Sequence, residues 1–153
     1  MRLKKYIYAF LAGMLGILSF APFSYKYLIF LSYAYLIYLL VKSKSFKFKE
    51  VFAWGIGHWG FGMSWIIVSV YYYGDTHIIA ASLIYIILTI ILSLVFTCPL
   101  LITTFINNRT KFNNTFLKII ALSSFLMFSE ISREYLLNGV PWLIPGNLSL
   151  IHI

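Results

Sequence analysis

The chain has 153 residues, of which 61% are hydrophobic, 20% aromatic and only 10% charged, against the roughly 25% charge usual in soluble domains. Polar side chains are too few to cover the surface of a water-soluble domain, so composition excludes that class and points to an integral membrane protein. The formal net charge of +8 does not read as a nucleic-acid footprint, because the Lys and Arg residues sit in short clusters between apolar runs rather than along one helix face.

A helix needs roughly 20 apolar residues to cross a bilayer, and five runs approach that length. The first covers 6–23, after Arg2, Lys4 and Lys5. A secretory signal peptide shares this outline, but Pro22 and four further apolar runs follow, so the first run reads as a retained anchor. Gly13 and Gly16 share one of its faces. The second run, 27–41, is short, with Lys26 and Lys42 able to snorkel outward from its ends. The third, 51–73, opens with Gly55, Gly57, Gly60 and Gly62. Such small residues let membrane helices approach closely, so these glycines read as packing devices.

The fourth run, 78–105, contains Cys98 directly before Pro99. A lone cysteine excludes an intrachain disulfide, and His58, His77 and His152 are too scattered for metal-ligand spacing. Neither a metal nor a cofactor is expected, and Cys98 reads as inert packing in an apolar helix. The fifth run covers 116–137. The expected fold class is therefore all-α, a polytopic membrane helical bundle of about five transmembrane helices.

Charge supports these boundaries. With the N-terminus cytoplasmic, the inner segments hold Arg2, Lys4 and Lys5, then Lys42, Lys44, Lys47 and Lys49, then Arg109, Lys111 and Lys118, which is ten of the twelve basic residues. The outer side keeps Lys26 and Arg133 together with Asp75, Glu130 and Glu134. That asymmetry satisfies the positive-inside rule. The loop KSKSFKFKE reads as a solvated topogenic loop, with an anionic-lipid patch as its alternative.

The stretch SEISREYLLNGVPW, 129–142, does not fit its oily surroundings. Glu130 and Arg133 are spaced i and i+3, share one helix face and can pair. Ionisable groups at membrane depth cost a few kcal/mol each and usually face protein or a wet cavity. The plainer reading is an interfacial ion pair that ends the helix, with Glu134 among the headgroups. Beyond Asn138, the residues Gly139, Pro141, Pro145 and Gly146 cannot continue a straight helix. Irregular backbone at that depth survives only where protein or a water-lined cavity covers it. Trp65 and Trp142 are then either interfacial belt residues or walls of a lipid pocket.

Three stretches together resemble the membrane region of the bacterial apolipoprotein N-acyltransferase family. They are GILSFAPF at 16–23, WGIGHWGFGMSWIIVSVYYYG at 54–74 and SEISREYLLNGVPWLIPG at 129–146. The resemblance spans the chain to about Gly146, so residues 1–146 are expected to form the N-terminal transmembrane domain. It implies a bacterial inner-membrane enzyme of lipoprotein biosynthesis, which moves an acyl chain from a membrane phospholipid to the amino group of a diacylated apolipoprotein. The family reaction runs through a thioester on a Glu, Lys and Cys triad in a periplasmic nitrilase-like domain. A low-pKa thiolate is a suitable acyl acceptor.

That triad domain is expected to follow further spans, so the chain reads as a fragment without catalytic residues, inactive alone, and Cys98 is not assigned as the nucleophile. The tail at 147–153, ending SLIHI, departs from the family pattern and reads as truncated or foreign. Five residues carry over as substrate-binding or supporting groups. Trp65 is expected to line the lipid path, Arg133 to meet a phosphate or hold Glu130, and Pro141 and Trp142 to shape the turn. Two other readings remain open at this point: a small polytopic carrier or channel lined by Glu130 and Arg133, and a structural membrane bundle.

Overall fold

A computed structural model describes residues 2–42, 47–102, 115–136, 143 and 145. They form six α-helices and no strand: α1 (Arg2–Ile17), α2 (Leu28–Lys42), α3 (Phe48–Gly62), α4 (Trp65–Tyr73), α5 (Ile78–Thr97) and α6 (Thr115–Leu136), with a 3-10 turn at Pro99–Leu101 after α5. The all-helical expectation holds for these residues.

Two helices, Ile78–Leu101 with its 3-10 turn and Thr115–Ser132, are each long and apolar enough to cross a membrane, and α3 with α4 makes a third if the bent pair is one span. The first two helices are shorter, at 16 and 15 residues. At 1.5 Å per residue they reach about 24 Å and 22 Å, less than the ~30 Å hydrocarbon core.

Helix α1 stops at Ile17, six residues before the end expected from apolarity alone. Pro22 biases Ala21 away from helical backbone, and Ser24 takes a left-handed φ of 59°. The chain tightens through i→i−3 bonds, Ser19 N–H to Gly16 O at 3.2 Å and Phe20 N–H to Ile17 O at 3.0 Å. The Tyr25 N–H then donates to the Leu18 carbonyl at 2.9 Å, closing the turn that sends α2 back.

The third predicted run is likewise not one straight helix, since α3 and α4 meet at 46°. At the break, Ile66 N–H reaches Met63 O at 3.0 Å, Ile67 N–H reaches Ser64 O at 3.3 Å, and Ser64 Oγ donates to the Phe61 carbonyl at 3.0 Å. A serine hydroxyl that takes a backbone carbonyl, next to two glycines, is a recognised cause of a helix bend.

The tightest contact joins α1 to α3. A Cβ built on Gly13 would lie 2.1 Å from the Trp54 carbonyl oxygen, and one on Gly57 2.1 Å from the Phe10 carbonyl oxygen. The two backbones therefore touch with no side chain between them, and the reading of these glycines as packing devices holds. Gly16 faces the Ser32 hydroxyl of α2, and Gly55 faces Ser93 of α5.

Polar contacts fix the directions. Lys5 Nζ lies 3.1 Å from a Glu50 carboxylate oxygen, joining the starts of α1 and α3. Lys118 Nζ donates to the Val41 carbonyl at 2.8 Å, joining the start of α6 to the end of α2 and satisfying one of its last-turn carbonyls. Helix α5 returns beside α3, its Tyr85 hydroxyl donating to the Gly60 carbonyl. The lysines of α1, α2, α3 and α6 thus gather at one end, with Lys26 and Asp75 in the turns at the other.

Between the helices lies an aromatic core. Trp54 and Trp59 are fully buried. Trp54 stacks on His58 with centroids 4.7 Å apart and on Phe96 at 5.3 Å, and meets the Tyr33 ring edge-on at 5.2 Å. Its Nε1 donates to Ser32 Oγ at 3.0 Å, and that hydroxyl donates onward to the Ala12 carbonyl at 2.6 Å. Burying the indole leaves its N–H satisfied, as a dry interior requires.

Candidate functional site: a carboxylate in an apolar groove

Helix α6 buries Leu122, Leu126, Ser129 and Glu130, a stripe at i, i+4, i+7 and i+8 that is the apolar face of a 3.6-residue period. Two of the four are polar. Ser129 is resolved simply, its hydroxyl donating to the Phe96 carbonyl of α5. Glu130, only 7% exposed, accepts a hydrogen bond from the Tyr33 hydroxyl of α2 at Oε1. Tyr33 is aimed by its edge contact with Trp54, so the aromatic core sets the position of the phenol that meets the carboxylate.

Beside this pair an apolar groove of about 390 Å³ runs between α2 and α6, lined by Ile29, Tyr33, Ile37, Leu126, Met127 and Glu130, with Pro145 also against it. A carboxylate here is costly to desolvate, and its hydrogen bond offsets part of that cost. Ionised, it can only accept hydrogen bonds. The arrangement can therefore bind and orient a group, and no cysteine or lysine is among the described residues that line it.

The expected site residues are distributed unevenly. Glu130 lies in the groove. Trp65 opens α4 directly after the bend, 47% exposed, and does not line this groove. The Arg133 side chain, Pro141 and Trp142 lie outside the described residues, as does the tail at 147–153. Two neighbours of Trp142 are described. Leu143, at a left-handed φ of 63°, packs on Ile17 and on the bare face of Gly62, while Pro145 reaches the groove. Cys98 is exposed at the end of α5. The reading of it as packing is corrected: its backbone is still helical, with its N–H on the Leu94 carbonyl at 2.8 Å, but helical periodicity places it beside the buried stripe of Ser93, Phe96, Thr97 and Leu100 and not on it.

Sequence reasoning missed Tyr33, Ser32 and the Trp54–His58–Phe96 stack. The available signal for Tyr33 was its place on the buried stripe of α2, one turn from Ile29 and next to Ser32 and Leu36.

Apolar helices long enough for a bilayer, packed through glycines, and a hydrogen-bonded carboxylate in an oily groove define a helical membrane protein. Its family follows from comparison. Residues 12–150 match the apolipoprotein N-acyltransferase N-terminal domain, and the chain belongs to that family. It is 28% identical over 146 residues to the apolipoprotein N-acyltransferase of Pasteurella multocida, covering 93% of this chain and 26% of the relative. The Haemophilus ducreyi enzyme of that name is 32% identical over 139 residues, covering 90% and 26%. The Coxiella burnetii enzyme is 28% identical over 146 residues, covering 92% and 29%. The chain thus spans about a quarter of the length of the curated relatives that it matches.

Proposed function

We propose that this chain is the membrane region of an apolipoprotein N-acyltransferase of the bacterial inner membrane, with residues 1–146 as its transmembrane domain. The match across residues 12–150 carries this reading. In it, α1, α2, the bent α3–α4 pair, α5 and α6 are five spans, and the N-terminus is cytoplasmic. Two features support that topology: the lysines gather at one end of the bundle, and the two helices that fall short of the hydrocarbon thickness are flanked by snorkelling lysines.

Acyl transfer from a phospholipid to a diacylated lipoprotein is the activity of the whole enzyme, and no residue of this chain is assigned to its covalent chemistry. The role of these helices is to present lipid to the reacting domain. Glu130, held by Tyr33, gives the oily groove one polar level. Trp65 acts at the lipid path, Arg133 at a phosphate or at Glu130, and Pro141 and Trp142 shape the turn. Opposed lipid substrates meet at the outer leaflet, the side on which this topology leaves the 129–142 stretch.

The test is a chimera in which this chain replaces the matching quarter of the Pasteurella multocida enzyme, expressed in cells depleted of their own N-acyltransferase. The mass of a diacylated lipoprotein is then read. The expected result is N-acylation, lost on Arg133→Ala while membrane insertion persists. A chimera that inserts normally and leaves the lipoprotein diacylated contradicts the proposal.

A further inference from the structure

We infer that Leu143 is a positioning residue, seated in the notch that Gly62 leaves at the α3–α4 bend. There it keys the chain after α6 to the bundle and fixes the level at which Pro145 meets the Tyr33–Glu130 groove. The packing stands on geometry alone, while its consequence for acyl transfer rests on the enzymatic reading above.

The two residues are exchanged relative to what their backbones favour. Leu143 sits at a left-handed φ of 63°, a region that glycine enters freely and that a residue with a Cβ enters at a cost. Gly62 closes α3 without a left-handed φ, so it serves neither as a left-handed helix cap nor as a good helix former. Backbone preference would put the glycine at 143 and a larger residue at 62.

Packing explains both positions. A Cβ built on Gly62 would collide with Leu143 Cδ1 and would lie 2.8 Å from Ile17 Cδ1. The missing side chain is thus the space that the leucine fills. Sparsely populated backbone conformations persist where their surroundings hold them, and here the hold is the contact of the side chain itself.

Those contacts lead to the site. Leu143 packs against the buried trio Ile17, Phe20 and Ile29 and also against the main core, and among the described residues Tyr33 is the other that does both. The phenol that donates to Glu130 and the anchor of the chain after α6 therefore lean on one cluster. Two residues beyond Leu143, Pro145 lines the groove with Ile29, Tyr33 and Glu130. Unseating Leu143 frees Pro145 from that level.

Hydrogen exchange of the full chain in nanodiscs reads the contact without any acyl transfer. Leu143→Gly relaxes the left-handed backbone but removes the side chain. The peptide that carries position 143 is expected to exchange about tenfold faster, equivalent to about 1.4 kcal/mol of lost protection. Leu143→Met, which refills the notch, is expected to exchange like the parent. Gly62→Ala meets only the ends of flexible side chains, so it is expected to speed the same exchange while leaving the melt of the helices unchanged. On a Leu143→Ala background it is expected to add nothing, because residues in contact are not additive. Unchanged or slower exchange in Leu143→Gly, or additive effects of Gly62→Ala and Leu143→Ala, overturns the inference. Should Leu143→Gly fail to insert, the Gly62→Ala cycle decides alone.

In the chimera, Leu143→Gly is expected to lower the rate of N-acylation roughly tenfold at an unchanged melting temperature, with Leu143→Met restoring it. Faster exchange with undiminished N-acylation overturns the positioning role. Faster exchange beside a parent chimera that is itself inactive keeps the keyed contact and discards the enzymatic reading.

Discussion

The two helix contacts of α1 with α3 and of α2 with α6 are built by opposite means. At the first, Gly13 and Gly57 let backbone meet backbone, each with a carbonyl oxygen where a Cβ would stand. At the second, bulky side chains line a groove between the helices, and a hydrogen bond from Tyr33 to Glu130 crosses it. In lipid the hydrophobic effect does not press helices together, so packing and interhelical hydrogen bonds decide tightness. The glycine crossing is thus the scaffold, and the groove is the part left able to hold something else.

The contrast is broken most severely at the crossing. Gly57→Val is expected to destabilise the bundle by about 3 kcal/mol or more, because the new side chain meets backbone and cannot be accommodated by a rotamer change; a thermal melt in detergent reads this. Tyr33→Phe removes the hydroxyl that donates to Glu130 across the groove and is expected to cost roughly 0.5–2 kcal/mol, the range for interhelical hydrogen bonds in membranes. In the same assay Lys118→Met, which removes the donor to Val41, is expected to cost about 0.5–1 kcal/mol. Gly60→Ala sharpens the comparison at the small end. A Cβ there meets Thr89 Cγ2 and the Tyr85 hydroxyl at an ordinary 3.5 Å. With helix propensity gained, that change is expected to be neutral or stabilising by up to about 1 kcal/mol.

Much of the architecture was legible because charge brackets it. The described residues of the runs 27–41 and 116–137 are helical over Leu28–Lys42 and Thr115–Leu136, since polar clusters mark where apolarity stops. Apolarity could not show the end of α1 or the bend after Gly62, because both are set by backbone geometry inside oily sequence. Glu130 stood out as a carboxylate in an apolar run. Its partner did not, since Tyr33 is one of twelve tyrosines, lies 97 residues away and carries no local mark of the pairing. The glycines of α1 and α3 declared close packing, but which carbonyl each would face depended on the crossing itself.

The proposed role requires that these helices thread a bilayer with the lysine-rich end in the cytoplasm. In a Cys98→Ser background, an impermeant maleimide added to intact spheroplasts should label Ser24→Cys and Asp75→Cys, and should reach Lys49→Cys only after permeabilisation. Labelling of all three positions from the outside, or of Lys49→Cys alone, would contradict the account.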